Sequence, residues 1–265
     1  MTAAVQTRQL TRSFGDVLAV DHLDLVVRGG ELFGLLGPNG AGKTTTIKML
    51  ITLLPPTSGG ALVAGLDVVR QAREVRRSIG YVPQMVSADG SMTAYENLLV
   101  SARLYHLPRA EREHEIDEAL AFMGLVDARN RLVREFSGGM IRRLELAQAM
   151  LHRPLVLFLD EPTVGLDPVA RSTVWDHVRQ LRDREGTTIL LTTHYMEEAD
   201  ELCDRVAVMH LGRIGAIGTP GELKAAVGPG ATLDDVFRQV TGSDMETGGG
   251  FREIARTRRT ARRLG

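Results

Sequence analysis

The octapeptide GPNGAGKT at residues 37–44 constrains this chain more than any other stretch. It fits G-x-x-x-x-G-K-[ST] and follows the apolar run GELFGLLG, which reads as a strand. It opens KTTTIKMLITLL, which reads as a helix over 43–54 and is stopped by PPTSGG. A strand must therefore end, the backbone must turn on glycines and a helix must begin, all at one point. Gly37, Pro38, Asn39, Gly40, Ala41, Gly42, Lys43, Thr44 and Thr45 are the expected loop. Its glycines let backbone N–H groups turn inward round phosphate oxygens, and the helix N-terminus adds partial positive charge. Lys43 is placed to reach β- and γ-phosphates, and the Thr44 hydroxyl to ligate Mg²⁺. Lys43, Lys48 and Lys224 are the only lysines among 32 basic residues, so a lysine here is not generic positive charge.

Around that loop the pattern is α/β. Residues 5 to 36 read as strands with turns, and ALVAGLDV and SIGYVPQ as short strands. The runs LVLFLDEP and TTILLTTH are wholly apolar up to their polar ends, as strands buried on both faces are. VARSTVWDHVRQLRDRE and EEADELCDR read as helices, VAVMH and RIGAIG as a hairpin. Thr219 and Glu222 have capping-box spacing, with Pro220 at the first helical position. Strands alternating with helices predict a mainly parallel sheet. The helical stretch at about 88–151 interrupts that alternation and is read as an inserted subdomain. The expected organisation is a nucleotide-binding domain over 5–228, a short segment at 229–242, and a linker with a basic tail over 243–265. The last fifteen residues hold six arginines and one glutamate.

Net charge is −1, which excludes a strong overall field for nucleic acid or acidic lipid. One cysteine, Cys203, excludes an internal disulfide and fits a reducing compartment. The N-terminal MTAAVQTRQLTRSF has no apolar core of signal-peptide length, and no apolar run approaches a membrane span, so the chain is not expected to cross a membrane itself.

LVLFLDEP supplies the second half of the chemistry. Asp160 ends a buried strand, as a Walker-B aspartate does, and can hold Mg²⁺; Glu161 points elsewhere and can polarise the water that attacks a γ-phosphate. In that company FSGGM, residues 136–140, resembles the signature motif of ATP-binding cassette (ABC) ATPases. Ser137 offers a hydroxyl, and Gly138 and Gly139 offer close backbone approach at a helix N-terminus. The resemblance covers roughly residues 5 to 225. It implies a P-loop NTPase fold with an N-terminal antiparallel β subdomain and an inserted α-helical subdomain, binding ATP and Mg²⁺.

The resemblance also assigns roles. Phe14 corresponds to the aromatic that stacks on adenine, Gln84 to the glutamine that touches Mg²⁺ and senses the membrane partner, and Asp167 to the aspartate that crosses a dimer interface. His194 corresponds to the switch histidine that contacts the γ-phosphate. In this family one copy's loop meets the other's signature, which implies a head-to-tail homodimer that drives a separate transmembrane permease from the cytoplasmic face of the membrane, with no nucleic acid partner. The signature departs from LSGGQ at its ends, and Met140 cannot donate or accept as glutamine would. SGGM before IRRLELAQAM, TLLPPTSG, and TLDDVFRQVTG at 232–242 resemble the ATPase subunits of daunorubicin-resistance-type exporters. A soluble ABC ATPase on ribosomes or DNA, or an importer subunit, are the competing readings. Trp175 and Tyr195 receive no role beyond packing.

Overall fold

A computed structural model describes residues 3–242. The chain opens with β1 (Ala3–Phe14), β2 (Val17–Arg28) and β3 (Leu32–Leu36), then α1 (Lys43–Leu50), β4 (Ser58–Val63), β5 (Leu66–Asp67), α2 (Ala72–Ser78) and β6 (Ile79–Val82). Three helices follow before the next strand: α3 (Ala94–Leu104), α4 (Arg112–Phe122) and α5 (Gly138–Met150). The order resumes with β7 (Val156–Asp160), α6 (Pro168–Glu185), β8 (Thr188–Thr193), α7 (Met196–Leu202), β9 (Arg205–His210) and β10 (Arg213–Gly218). It closes with α8 (Pro220–Val227) and α9 (Leu233–Thr241). Among the described residues no helix is long and apolar enough to cross a membrane. The linker and basic tail expected over 243–265 lie outside the described residues.

Two sheets result. One is four-stranded and antiparallel, in the order β2-β1-β4-β5; the other is six-stranded, β10-β9-β3-β8-β7-β6, and parallel except at the β10 edge. The parallel strands explain their own composition. Leu32 and Leu36 of β3 face a core shared with the inserted helices, while Phe33 and Leu35 face a core shared with α1 and the antiparallel sheet. Leu157 and Leu159 divide from Val156 and Phe158 in the same way on β7. With both faces dry, nothing polar is needed between strand start and strand end. Each fully buried side chain of this size contributes roughly 1.5–3 kcal/mol.

The ends of helices follow local signals. Thr219 and Glu222 form the expected capping box of α8, and Thr232 with Asp235 forms another at α9. Three local expectations need correction. The helix after Lys43 ends at Leu50, not Leu54: Thr52 is left-handed at φ +66°, and the Leu53 and Leu54 N–H groups both return to the Lys48 carbonyl. ALVAGLDV is not one strand but a hairpin, β4 to β5, turning on Ala64 (φ +50°) and Gly65 (φ +78°), the two positive angles a tight primed turn demands. Ala72–Ser78 is a helix that has no counterpart in the sequence reading.

Candidate active site

Four adjacent parallel strands, β3, β8, β7 and β6, end at one edge of the sheet, so whatever follows each of them converges there. The GPNGAGKT loop follows β3, His194 follows β8, Glu161 follows Asp160 at the end of β7, and Gln84 follows β6. Residues far apart in sequence become one cluster by topology alone.

The loop is held open by its glycines. Gly40 and Gly42 have φ of +83° and +107°, a region that disfavours every residue with a Cβ. At Gly42 a Cβ would also lie 2.4 Å from the Ala19 carbonyl oxygen. Among the described residues, the N–H groups of Gly40, Gly42, Lys43, Thr44 and Thr45 have no acceptor, whereas Ala41 and Thr46 donate to Pro38 and Gly42. Five unanswered donors at a helix N-terminus are a cradle for an anion. Lys43 is folded back across it: Nζ donates to the Gly37 carbonyl at 2.7 Å and the Pro38 carbonyl at 3.1 Å, and stands 3.2 Å from Glu161 Oε1. Its burial pushes the ammonium pKa down, partly offset by the Glu161 and Asp160 carboxylates.

Glu161 is the hub. Its backbone sits at φ +50°, a strained angle for a glutamate, fixed by N–H bonds to the Thr192 carbonyl (3.1 Å) and Thr192 Oγ1 (3.0 Å). That turn sends its side chain away from Asp160. Gln84 Nε2 donates to Oε2 at 3.0 Å. His194 Nδ1 stands 3.3 Å from Oε1, near enough to act on the carboxylate though off the angle of a hydrogen bond. Burial pushes the Glu161 carboxyl up, but His194 and Lys43 outweigh it and hold the group below its ordinary range. Asp160 is directed the other way, accepting from Thr192 Oγ1 at 2.6 Å and from Thr44 Oγ1 at 3.2 Å.

The cluster therefore joins Lys43, Thr44, Gln84, Asp160, Glu161 and His194. The other expected residues stand apart from it. Phe14 is half exposed on the β1–β2 hairpin with the Arg12 guanidinium over its ring at 4.6 Å. Ser137 caps α5, accepting from the Met140 N–H at 3.3 Å, and Asp167 caps α6, accepting from the Ala170 N–H at 2.9 Å. These two caps adjoin each other: a Cβ on Gly139 would meet Ala170 Cβ at 2.9 Å, and one on Gly138 would meet Leu166 at 3.1 Å. Gly138 and Gly139 thus serve packing inside the chain.

Sequence reasoning missed five contributors. Thr192, fully buried, is the hydroxyl that orients both acids. Glu198, Thr163 and Trp175 form a buried knot beneath them: the Thr163 hydroxyl and the Trp175 indole N–H both donate to Glu198 Oε1, at 2.7 and 2.9 Å. Trp175 so acquires a partner that its sequence does not announce. Tyr195 packs against the His194 ring, with the Arg171 guanidinium on it at 4.8 Å.

The residues fit a nucleoside triphosphate with Mg²⁺. The unanswered N–H groups suit phosphate oxygens, and Thr44 Oγ1 beside Asp160 Oδ1 supplies hard oxygen donors.

A glycine-held cradle of backbone N–H groups opening a helix, beside two successive buried acids at a strand end, is the arrangement of a P-loop ATPase. The chain belongs to the ABC transporter family, whose pattern it matches over residues 20–164. It is 49% identical over 227 residues to the daunorubicin/doxorubicin resistance ATP-binding protein DrrA of Streptomyces peucetius, covering 86% of this chain and 68% of that one. It is 44% identical over 223 residues to the Nod factor export ATP-binding protein I of Cupriavidus metallidurans, covering 84% and 73%. Among solved structures, an ATP binding subunit of an ABC transporter superposes with a TM-score of 0.80 at 30% identity, covering 90% of this chain and 99% of that one. The chain is an ATPase whose activity is coupled to transport.

Proposed function

We propose that this chain is the energy-coupling ATPase of an ABC exporter for drugs, antibiotics or other hydrophobic compounds. Two copies close head-to-tail over two Mg·ATP and drive a separate transmembrane permease, to which the chain binds at the cytoplasmic face. Support for export comes from relatives named for drug resistance and for Nod factor export. The observation that carries the catalytic part is the Glu161 hub, where one carboxylate is reached by Lys43, Gln84 and His194 at once.

In this reading Lys43 leaves the Glu161 carboxylate for phosphate oxygens when nucleotide binds, and the cradle N–H groups of residues 40 to 45 hold the triphosphate. Thr44, Asp160 and Gln84 would hold Mg²⁺, which when bound would supply neutralisation of phosphate charge. Freed of Lys43, Glu161 gains basicity and orients the attacking water. His194 contacts the γ-phosphate, and Phe14 stacks on adenine. Ser137, Gly138 and Gly139 of the second copy complete the γ-phosphate site, with Asp167 at the junction.

Glu161→Gln keeps the size of the side chain and removes the base. It should bind ATP with parental affinity, slow turnover by about 10²–10⁴-fold, and accumulate a closed dimer on size exclusion with light scattering. A variant that hydrolyses ATP at the parental rate contradicts the role given to Glu161.

A further inference from the structure

Two charged side chains of α5 are buried where no catalytic role calls for them. Arg142 is 5% exposed and Glu145 is 2% exposed, and they pair at 2.9 Å. An ion pair one turn apart on a helix surface would need no further explanation. Desolvation makes this one a poor source of stability, since apolar side chains of similar volume would serve the core as well. Its remaining bonds all run to one other segment. Arg142 Nη1 donates to the Pro83 carbonyl at 2.8 Å, and Nη2 donates to the Gln84 carbonyl at 3.1 Å. Glu145 Oε1 accepts from the Ser87 N–H at 2.5 Å and the Ser87 hydroxyl at 2.9 Å. The pair therefore grips both ends of the loop 83–87, while the apolar side chains between those grips, Met85 and Val86, face outward at 81% and 61% exposure. A planar fork that reaches two successive carbonyls and a carboxylate is within the geometry of arginine and not of lysine.

We infer that Arg142 and Glu145 are positioning residues that lock the Gln84 loop to α5, so that the Gln84 contact and the Ser137 contact move as one body. Gln84 reaches Glu161 from that loop. Ser137 caps the same helix five positions before Arg142, about 7–8 Å along a rigid axis. A shift of the Gln84 backbone when the nucleotide site fills is carried through the clamp to the helix end that faces outward. The pair is thus a mechanical link between the phosphate cluster of one copy and the surface offered to the other. The inference rests on the reading above, in which Gln84 and Ser137 attend two different nucleotides.

The test uses the purified full chain with Mg·ATP. Arg142→Met with Glu145→Met removes both charges together, so neither is left buried alone. The double variant should melt near the parent, bind a fluorescent ATP analogue within about twofold of the parental Kd, and lose about tenfold in kcat, a coupling of the size transmitted between linked sites. Arg142→Lys keeps the charge against Glu145 but not the fork, and should show the same split of lowered kcat with unchanged Kd. Parental kcat in either variant, with the fold intact, overturns the clamp. A parent chain that binds ATP but never hydrolyses it would instead sink the catalytic reading, a result visible before any variant is made.

Discussion

At the Lys43 end, the ammonium and the Glu161 carboxylate are buried and answered by their own chain; at the Ser137 end, the hydroxyl and the glycine after it are exposed and turned only to their own helix cap. Both ends are helix N-termini with glycines at or just before the first turn, and both have the means to receive a phosphate. The contrast lies in what each is waiting for. The first cluster is already assembled, with strain at Glu161 and Lys43 held against its carboxylate. The second is pre-packed against α6 through Gly138 and Gly139 but has no partner of its own across the molecule. In the proposed function, the first end keeps its base quenched until nucleotide draws Lys43 away, and the second withholds its contacts until another copy arrives.

The largest way to sharpen the contrast is at Ser137. Aspartate caps a helix as well as serine does, so Ser137→Asp should leave the melting temperature within a degree or two while placing a negative charge where a γ-phosphate is to be received. Turnover should fall by about 10²-fold or more, in the range of losing a transition-state donor. Full activity with an intact fold would remove the signature from the phosphate site. At the other end, Thr192→Val is nearly isosteric and deletes the hydroxyl shared by Asp160 and the Glu161 N–H. It should cost about 0.5–1.5 kcal/mol of stability, the net worth of a typical hydrogen bond, since Asp160 keeps Thr44 and the Glu161 N–H keeps the residue 192 carbonyl, and it should lower kcat alongside. Thermal melts that match the parent would deny Thr192 its orienting role. The smallest effect is in acid. Because the Glu161 carboxyl is depressed below its ordinary value of 4.5, its stabilisation is present above that pH and is lost as pH falls through the folded-state value. Glu161→Gln should therefore flatten the fall in melting temperature below pH 4.5, and a parallel fall in both proteins would count against the buried pairing with Lys43.

What the sequence made legible was whatever depends on local pattern. GPNGAGKT, the apolar runs before Asp160 and His194, and the Thr219 cap each carry their signal within a few residues. Thr192 did not, because a threonine in a buried strand looks like any β-branched strand former until the fold sets it beside Asp160. Glu198 was hidden for a related reason: in EEADELCDR it is one of the four acids that fall on α7, and only the docking of α7 on Thr163 and Trp175 distinguishes it as a buried one. The Ala64-Gly65 turn escaped because alanine is an unusual residue at positive φ. Arg142 and Glu145 carry no local signal in IRRLELAQAM, since their targets lie in a loop more than fifty residues earlier.

The central claim is that each nucleotide is enclosed by Lys43 of one copy and Ser137 of the other, and a mixing experiment addresses it directly. Lys43→Ala and Ser137→Asp chains, each inactive alone, are combined and their ATPase activity is followed. In a head-to-tail pair the mixed dimer holds one site with both defects and one site with neither, so activity should reappear on mixing. If mixing restores nothing while both chains remain folded and able to dimerise, the two ends do not meet across copies and the account fails.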